Sequence, residues 1–274
     1  MSELSHKLDE SVRLIRTKVQ DTPTLGVILG SGLGDFADTL EAKTEIPTSI
    51  VPHFAKSTVE GHAGKLVFGK LSGKNVLALK GRVHYYEGYS LEQVTYIVRI
   101  MHALGIRSLI VTNAAGGVNP VFTPGDLMII TSHINFFFVN PLRGSNEEQL
   151  GPRFPDMESD YDKEYITIAE KIALRLGVKT QRGIYCAGPG PTYETRSEVK
   201  MFQKMGADAV GMSTVPEVIV AKHQGMRVLG ISCITNLGTG ISQTPLSHEE
   251  VTATANRVKT SFQSLIAEII RQIA

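Results

Sequence analysis

Residues 186–236 read CAGPGPTYETRSEVKMFQKMGADAVGMSTVPEVIVAKHQGMRVLGISCITN. Helical hydrophobic spacing at 196–205 and 215–224 is followed there by an apolar run of strand length at 227–234. Strands and helices that alternate along a chain are typical of an α/β fold, because the helices cover the faces of a parallel sheet.

The same alternation extends outward from this segment. Further apolar runs of strand length lie at 25–29, 75–79, 108–112 and 127–131, and helical patterns lie at 4–19, 91–104 and 160–176. A last helix is predicted from Ser247, where Glu250 three residues later completes a capping box. Because the strand runs are apolar on both faces, we predict a mixed, largely parallel central sheet flanked by helices. No repeat or linker divides the sequence, so residues 1–274 are predicted to form a single domain.

Composition limits the classes of partner. The 274 residues carry a net charge of +1, which provides no field to attract nucleic acid or an anionic membrane. The polar start MSELSHKLDE lacks the apolar core of a secretory signal, and no apolar run approaches the about 20 residues of a membrane helix. Two cysteines, Cys186 and Cys233, are too few for a disulfide framework or a tetrahedral metal site. We therefore expect a cytoplasmic protein without a metal.

Polar or glycine-rich sequence follows several of the predicted strands. The strand at 25–29 runs into GSGLG (30–34), the strand at 75–79 into GRVHYYEG (81–88), and the strand at 108–112 into NAAGG (113–117). In open α/β sheets, ligands bind outside the carboxyl ends of the strands. We therefore expect one ligand site at this edge of the sheet.

Two of these segments offer groups that can bind an anion. The glycines around Ser31 allow backbone N–H groups to approach a phosphate, although for this motif alone a plain tight turn is the favoured alternative. Arg82 and His84 are two residues apart on an extended segment, so they face the same side. A guanidinium and an imidazole together suit a phosphate, but a salt-bridged arginine and a structural histidine are the alternative.

The opening segment and the predicted last helix add four more groups. Thr214 and Glu217 have capping-box spacing, which predicts a helix start beside Ser213, where an anion is favoured. Glu194 precedes a second such box, formed by Thr195 and Glu198. In each case, helix capping without a ligand is the alternative. Asn236 is predicted to end a strand and His248 to lie in the first turn of the last helix, with a capping amide and an exposed histidine as the alternatives.

The loop at 139–159 (VNPLRGSNEEQLGPRFPDMES) is long, polar and rich in Gly and Pro. Loops of this length commonly cover a site or contact a partner, and otherwise are surface excursions.

Taken together, these segments resemble the trimeric purine nucleoside phosphorylase family, which also contains methylthioadenosine phosphorylase. The resemblance spans most of the chain, from residue 30 to residue 251. It rests on the motifs GSGLG (30–34), GHAGKLVFG (61–69), GRVHYYEGYSL (81–91), VTNAAGGVNP (111–120), GDLMIITSHIN (125–135), NPLRG (140–144), PTYET (191–195), GADAVGMSTVPEVIVAKH (206–223), ITN (234–236) and SHEEV (247–251).

The resemblance implies a role for each candidate residue. Catalysis would depend on Asn236, Glu194 and His84. Phosphate would be bound by Ser31, His62, Arg82, His84, Ala114 and Ser213. The base would contact Tyr193, Glu194, Val210 and Asn236, and the ribose would contact Tyr86, Met212, His248 and, from a neighbouring subunit, Phe154. A homotrimer is implied, with phosphate as co-substrate and no cofactor.

The implied reaction is phosphorolysis of a purine nucleoside to the free base and ribose 1-phosphate. Glu194 can accept N1–H of hypoxanthine or guanine, whereas adenine has an acceptor at N1, so 6-oxopurine nucleosides are expected substrates. Methylthioadenosine phosphorylase is the alternative within the family. Outside the family, a dinucleotide-dependent oxidoreductase is disfavoured, because Asp35 stands where its fingerprint needs a third glycine. A purine sensor without catalytic activity is also disfavoured, because it would have no use for phosphate-binding residues. Residues 237–246, which follow Asn236, are glycine-rich and lack the lysine that some animal members have in this stretch, and we expect them to form a mobile lid.

Overall fold

Nine β-strands form one sheet within residues 2–58, 64–241 and 248–273, which are the parts of the chain that this computed structural model describes. The strands are β1 (Leu25–Leu29), β2 (Glu41–Pro47), β3 (Lys65–Leu71), β4 (Lys74–Lys80), β5 (Ser108–Gly117), β6 (Leu127–Asn135), β7 (Thr180–Ala187), β8 (Ala209–Gly211) and β9 (Arg227–Leu237). The helices are α1 (Glu3–Lys18), α2 (Leu91–Ala103), α3 (Lys163–Leu176), α4 (Arg196–Lys204), α5 (Val215–His223) and α6 (His248–Ile273).

The five predicted strands are confirmed, and four others were not predicted. β2 lies at the edge of the sheet and is mostly exposed, so it has no apolar run to reveal it. β8 has only three residues, which is too short for any periodic pattern. β3 and β7 contain buried residues, but a glycine interrupts the apolar pattern of each strand.

The sheet is mixed, as expected. Strand order is β2-β3-β4-β1-β5-β8-β7-β6-β9. Parallel pairing joins β4 to β1, β1 to β5, β5 to β9, β6 to β7 and β7 to β8. Antiparallel pairing joins β2 to β3, β3 to β4, β5 to β8 and β6 to β9.

Strand β9 closes half of the sheet into a ring, because it pairs with β6 on one side and with β5 on the other. Its pairing with β5 runs from Ser108 opposite Arg227 to Gly117 opposite Leu237. The prediction that β5 ends at residue 112 was therefore wrong: β9 and β8 supply pairing partners that keep residues 113–117 extended.

The predicted helices are present with small shifts at their ends. α3 begins at Lys163 because the Asp162 carboxylate accepts hydrogen bonds from the backbone N–H groups of Glu164 and Tyr165. α6 buries its predicted apolar face, including Phe262 and Leu265. Its predicted cap, Ser247, lies outside the described residues. No described helix is both long and apolar enough to span a bilayer.

Two glycines fix the turn that follows β1. A Cβ at Gly30 would lie 2.5 Å from the Asn113 Cα, so only glycine allows β1 and β5 to approach this closely. Gly32 has a φ of +74°, and a Cβ there would lie 2.5 Å from the Ala255 Cβ of α6. The turn that carries Ser31 is thus held between β5 and α6.

Candidate active site

A cavity of about 280 Å³ opens at the carboxyl ends of β4, β1, β5 and β9. Eleven of the predicted site residues line it: Ser31, Arg82, His84, Tyr86, Ala114, Tyr193, Glu194, Val210, Met212, Ser213 and Asn236. They come from segments that are far apart in sequence, and the pairing of the strands brings them together. The structure therefore supports one site, while the role of each residue remains a prediction.

Three predicted residues are not seen in this cavity. His62 lies outside the described residues, and the side chain of His248 is also outside the described part, although its backbone begins α6. Phe154 is 87% exposed and borders a different surface depression, together with Arg143 and Met157. That position agrees with the expectation that Phe154 serves a neighbouring subunit, but does not test it.

Arg82 is buried at the bottom of the cavity, with 2% of the residue exposed. Its Nη1 lies 3.0 Å from Oε1 of Glu217 and donates to the Thr214 hydroxyl at 3.3 Å, and its Nη2 donates to the carbonyl oxygen of Thr112. Glu217 is itself only 1% exposed. A buried charge is tolerated when it is paired and hydrogen-bonded. Arg82 satisfies that condition through three partners, and Glu217 satisfies it through Oε1.

The capping box predicted at Thr214 and Glu217 was wrong. Thr214 does precede α5, but its side chain makes no capping hydrogen bond, and the Glu217 carboxylate is bound to Arg82 instead. An ion pair with a buried guanidinium is stronger than a hydrogen bond to a helix-terminal N–H group. The matching box at Thr195 and Glu198 is confirmed, because no buried cation competes there.

Thr214 adopts a φ of +74°, which is strained for a β-branched residue. Strain of this kind costs about 1–3 kcal/mol and persists only where surrounding contacts enforce it. Here the Thr214 hydroxyl accepts from Arg82 and, at 2.9 Å, from Nδ2 of Asn113. Having accepted twice, it uses its own proton toward the Ser213 hydroxyl at 3.2 Å, so Ser213 keeps a proton to donate.

His84 is held by a carboxylate that sequence reasoning missed. Oε1 of Glu87 accepts from the His84 backbone N–H at 2.7 Å and lies 3.1 Å from Nδ1 of the ring. Oε2 of Glu87 accepts from the backbone N–H and the hydroxyl of Thr58. Because an ionised carboxylate can only accept, Nδ1 of His84 carries a proton. The ring also stacks on Tyr86, with 4.7 Å between centroids.

The pKa of Glu87 follows from these contacts. Burial alone would raise the pKa, but the hydrogen bonds from His84 and Thr58 outweigh burial and lower the pKa of Glu87 to about 2. Glu87 is therefore ionised at every pH at which the protein would be assayed.

Glu194 also lines the cavity. It immediately precedes the N-cap Thr195 and takes no part in the capping box there, which leaves its carboxylate to the cavity. Burial raises the pKa of Glu194, and the nearby Glu198 carboxylate adds to the increase.

The Asn236 amide is oriented by its neighbour. The Thr235 hydroxyl donates to Oδ1 of Asn236 at 2.9 Å, and Nδ2 makes a long hydrogen bond of 3.4 Å to the Leu237 carbonyl. A Cβ on Gly116 would lie 3.3 Å from Nδ2, so a glycine in β5 leaves room for the amide. Leu237 ends β9, and residues 242–246 of the expected lid lie outside the described residues.

Sequence reasoning thus missed the residues behind the site, namely Glu87, Thr112, Asn113, Thr214 as an acceptor, Glu217 and Thr235. A capping-box signal was present at 214–217 but indicated a different partner for Glu217. Within the described ranges, no three His, Cys, Asp or Glu side chains lie together as a metal site requires.

Comparison with known proteins agrees with this geometry. Residues 24–271 match the phosphorylase superfamily. The chain is 54% identical to purine nucleoside phosphorylase 1 of Bacillus subtilis over 98% of this chain and 99% of that protein. Structures of Schistosoma mansoni purine nucleoside phosphorylase with adenosine (38% identity, coverage 98% and 98%) and with inosine (37%, 98% and 97%) both superpose with a TM-score of 0.93. The chain belongs to the purine nucleoside phosphorylases of the phosphorylase superfamily.

We predict that Glu87→Gln reduces stability in a pH-dependent way. A depressed pKa contributes stability that is present above the ordinary value of 4.5 and is lost as the pH falls toward about 2. The loss in free energy of unfolding caused by the substitution should be large near neutral pH and much smaller at about pH 3. Urea unfolding at both pH values measures this loss in the free energy of unfolding. Glu92→Gln, on the exposed face of α2, is the control. An equal loss at both pH values would contradict the assignment.

Proposed function

We propose that this enzyme, a purine nucleoside phosphorylase, catalyses the reversible phosphorolysis of 6-oxopurine nucleosides. Its substrates are inosine, guanosine and their 2′-deoxy forms, and its products are the free base and ribose or deoxyribose 1-phosphate. The observation that carries the proposal is that one cavity joins phosphate-binding chemistry (Arg82, Ser213) to purine-binding chemistry (Glu194, Asn236).

On the phosphate side, donors come from residues in or just after four strands, β1, β4, β5 and β8. Arg82 supplies a fixed positive charge, while the Ser31 and Ser213 hydroxyls, the His84 ring and the backbone of Ala114 add hydrogen-bonding groups. Phosphate held here lies beside the anomeric carbon, where it stabilises the positive charge that develops on the sugar and then bonds to it. Holding two reactants in line removes much of the entropic barrier.

On the purine side, negative charge develops on the base as the glycosidic bond breaks. The Asn236 amide binds N7 and O6, and its donation to N7 strengthens as the base gains electrons. Only binding that is stronger in the transition state accelerates the step, so Asn236 contributes to kcat. Tyr193 and Val210 flank the base, and Tyr86, Met212 and His248 contact the sugar. Phosphate is a co-substrate, and no further cofactor takes part.

The Glu194 carboxylate sets the choice of base. It accepts N1–H of hypoxanthine, and both N1–H and the 2-amino group of guanine, whereas adenine presents a lone pair at N1. The raised pKa of Glu194 modifies this choice, because a protonated carboxyl can donate to adenine N1. Adenosine is therefore a poor substrate near neutral pH and a better one as the pH falls.

Two observations weigh against the alternatives. The relatives of high identity are named purine nucleoside phosphorylases, which disfavours methylthioadenosine phosphorylase. The 30–34 turn packs on α6 through Gly32, and Asp35 follows where a dinucleotide site needs a third glycine.

The test is to incubate the protein with inosine with and without inorganic phosphate. We expect hypoxanthine to appear only with phosphate, together with an equal amount of ribose 1-phosphate, because phosphate is the attacking group. Base release that does not depend on phosphate would make the protein a hydrolase. Absence of release under both conditions would favour a binding protein.

We predict that Glu194→Ala lowers guanosine turnover by more than about tenfold, since the N1–H and 2-amino donors lose their acceptor. For the wild type, the ratio of kcat/KM for adenosine to that for inosine should rise as the pH falls through the pKa of Glu194. Glu198→Ala, which removes the α4 cap but not the cavity carboxylate, is the matched control. An unchanged guanosine rate in Glu194→Ala would remove Glu194 from the site.

The enzyme is proposed to be a cytoplasmic homotrimer of purine salvage. Two exposed aromatic residues, Phe138 (79%) and Phe154 (87%), border neighbouring depressions that share Asn135, Asn140 and Arg143. Exposed apolar surface of this kind marks an interface, and a neighbouring subunit seated there would receive Phe154 against its ribose pocket. Location in the cytoplasm is supported by two buried free thiols, Cys186 and Cys233.

Sedimentation equilibrium tests the assembly, and we expect three times the mass of the chain. Phe154→Ala should raise the KM for inosine while leaving the KM for phosphate nearly unchanged, because the aromatic ring covers sugar rather than phosphate. Leu174→Ala, which removes an exposed side chain of α3, serves as control. A monomer with full activity would disprove the shared site.

A further inference from the structure

We propose that Glu217 is a positioning residue for phosphate, which acts on Arg82 directly and on Ser213 through Thr214. The inference rests on the proposed function, since it assigns these two groups to the phosphate. It concerns a residue that does not line the cavity and that its sequence context marks as a helix cap.

The charge of Glu217 is directed toward Arg82 and not toward the start of α5. The Glu217 carboxylate lies in the first turn of α5, where its oxygen could have bonded to the helix terminus. Instead Oε1 is 3.0 Å from Nη1 of Arg82. Among the described residues, the other oxygen, Oε2, has no hydrogen-bond partner although it is buried. Arg82 is thus the group that offsets the cost of burying this carboxylate.

The stability of the fold does not explain why this ion pair is buried. Replacing a buried ion pair by well-packed apolar residues is often neutral or stabilising, so folding alone does not call for one. The pair instead fixes the orientation of the Arg82 guanidinium. A guanidinium held by a carboxylate at Nη1 and by the Thr112 carbonyl at Nη2 has a fixed plane, so its contact with the cavity is fixed as well.

Thr214 connects the Arg82–Glu217 pair to Ser213. Nη1 of Arg82 also donates to the Thr214 hydroxyl, which is 3.2 Å from the Ser213 hydroxyl. Because Thr214 accepts from Arg82 and Asn113, its proton points toward Ser213. These hydrogen bonds hold the Thr214 hydroxyl in position despite the strained φ of +74°. The position of Arg82 therefore determines the orientation of the Ser213 hydroxyl, which is the second donor to phosphate.

The test is the Glu217→Gln variant, which keeps the size of the side chain and removes its charge. We expect the KM for phosphate to rise by about tenfold or more, since displacing a binding group by about 1 Å can cost a hundredfold. The KM for inosine should stay within about twofold of the wild type, because the base and sugar contacts are untouched. The increase in Tm caused by inorganic phosphate should require correspondingly more phosphate.

Glu198→Gln is the matched control, because Glu198 has the same spacing from a threonine at a helix start and makes the cap instead. It should leave the KM for phosphate unchanged. If Glu217→Gln does not fold, Glu217→Asp retains the buried charge but not its reach, and the same two KM values are measured on it. The proposal is overturned if phosphate KM is unchanged in a folded variant, or if inosine KM rises in parallel.

The phosphate-dependent Tm separates this proposal from the proposed function. A wild type that phosphate stabilises but that releases no base would refute the phosphorylase activity and still allow Glu217 to be tested. A wild type that phosphorolyses inosine, with Glu217→Gln equal to it in phosphate KM and in phosphate-dependent Tm, would refute the role of Glu217 alone.

Discussion

The pairing of β5 with three other strands is the constraint on which the site depends. β1 lies on one side of β5, and β9 and β8 lie on the other, so residues from all four strands meet at one edge. Thr112 in β5 strengthens the junction: its hydroxyl accepts from the Gly30 N–H at 3.0 Å, and its carbonyl accepts from Arg82. The part of the cavity that contains Arg82 is therefore built on the buried strands β1 and β5.

Arg82 and His84, which both line the cavity, each have a carboxylate behind them. Arg82 is paired with Glu217 and His84 with Glu87, and both carboxylates have only 1% of their side-chain surface exposed. Such a site does not attract an anion by excess positive charge, which agrees with the net charge of +1 for the chain. Under the proposed function, recognition of phosphate depends on the direction of these donors, and direction requires supports that cannot move.

The sequence was sufficient for the parts of the fold that repeat a physical pattern. Apolar runs such as β1 and β4 predicted the strands, and eleven of the fourteen site residues predicted by resemblance line one cavity. Prediction failed where a distant residue decides the outcome. The two T-x-x-E segments at 195 and 214 have the same spacing, but only the second faces a buried arginine. The extension of β5 through Gly117 likewise depends on β9, which lies more than one hundred residues away along the chain.

The contact between Gly32 and Ala255 has a mechanical consequence. Val251 lines the cavity, and Ala255, one turn later on α6, touches the turn that carries Ser31. A salt bridge between Lys259 and Asp35 fastens the following turn of the helix to the same segment. A displacement of α6 would therefore shift both the wall beside Val251 and the backbone around Ser31. The wall at Val251 and the turn at Ser31 are thus mechanically coupled through a single helix.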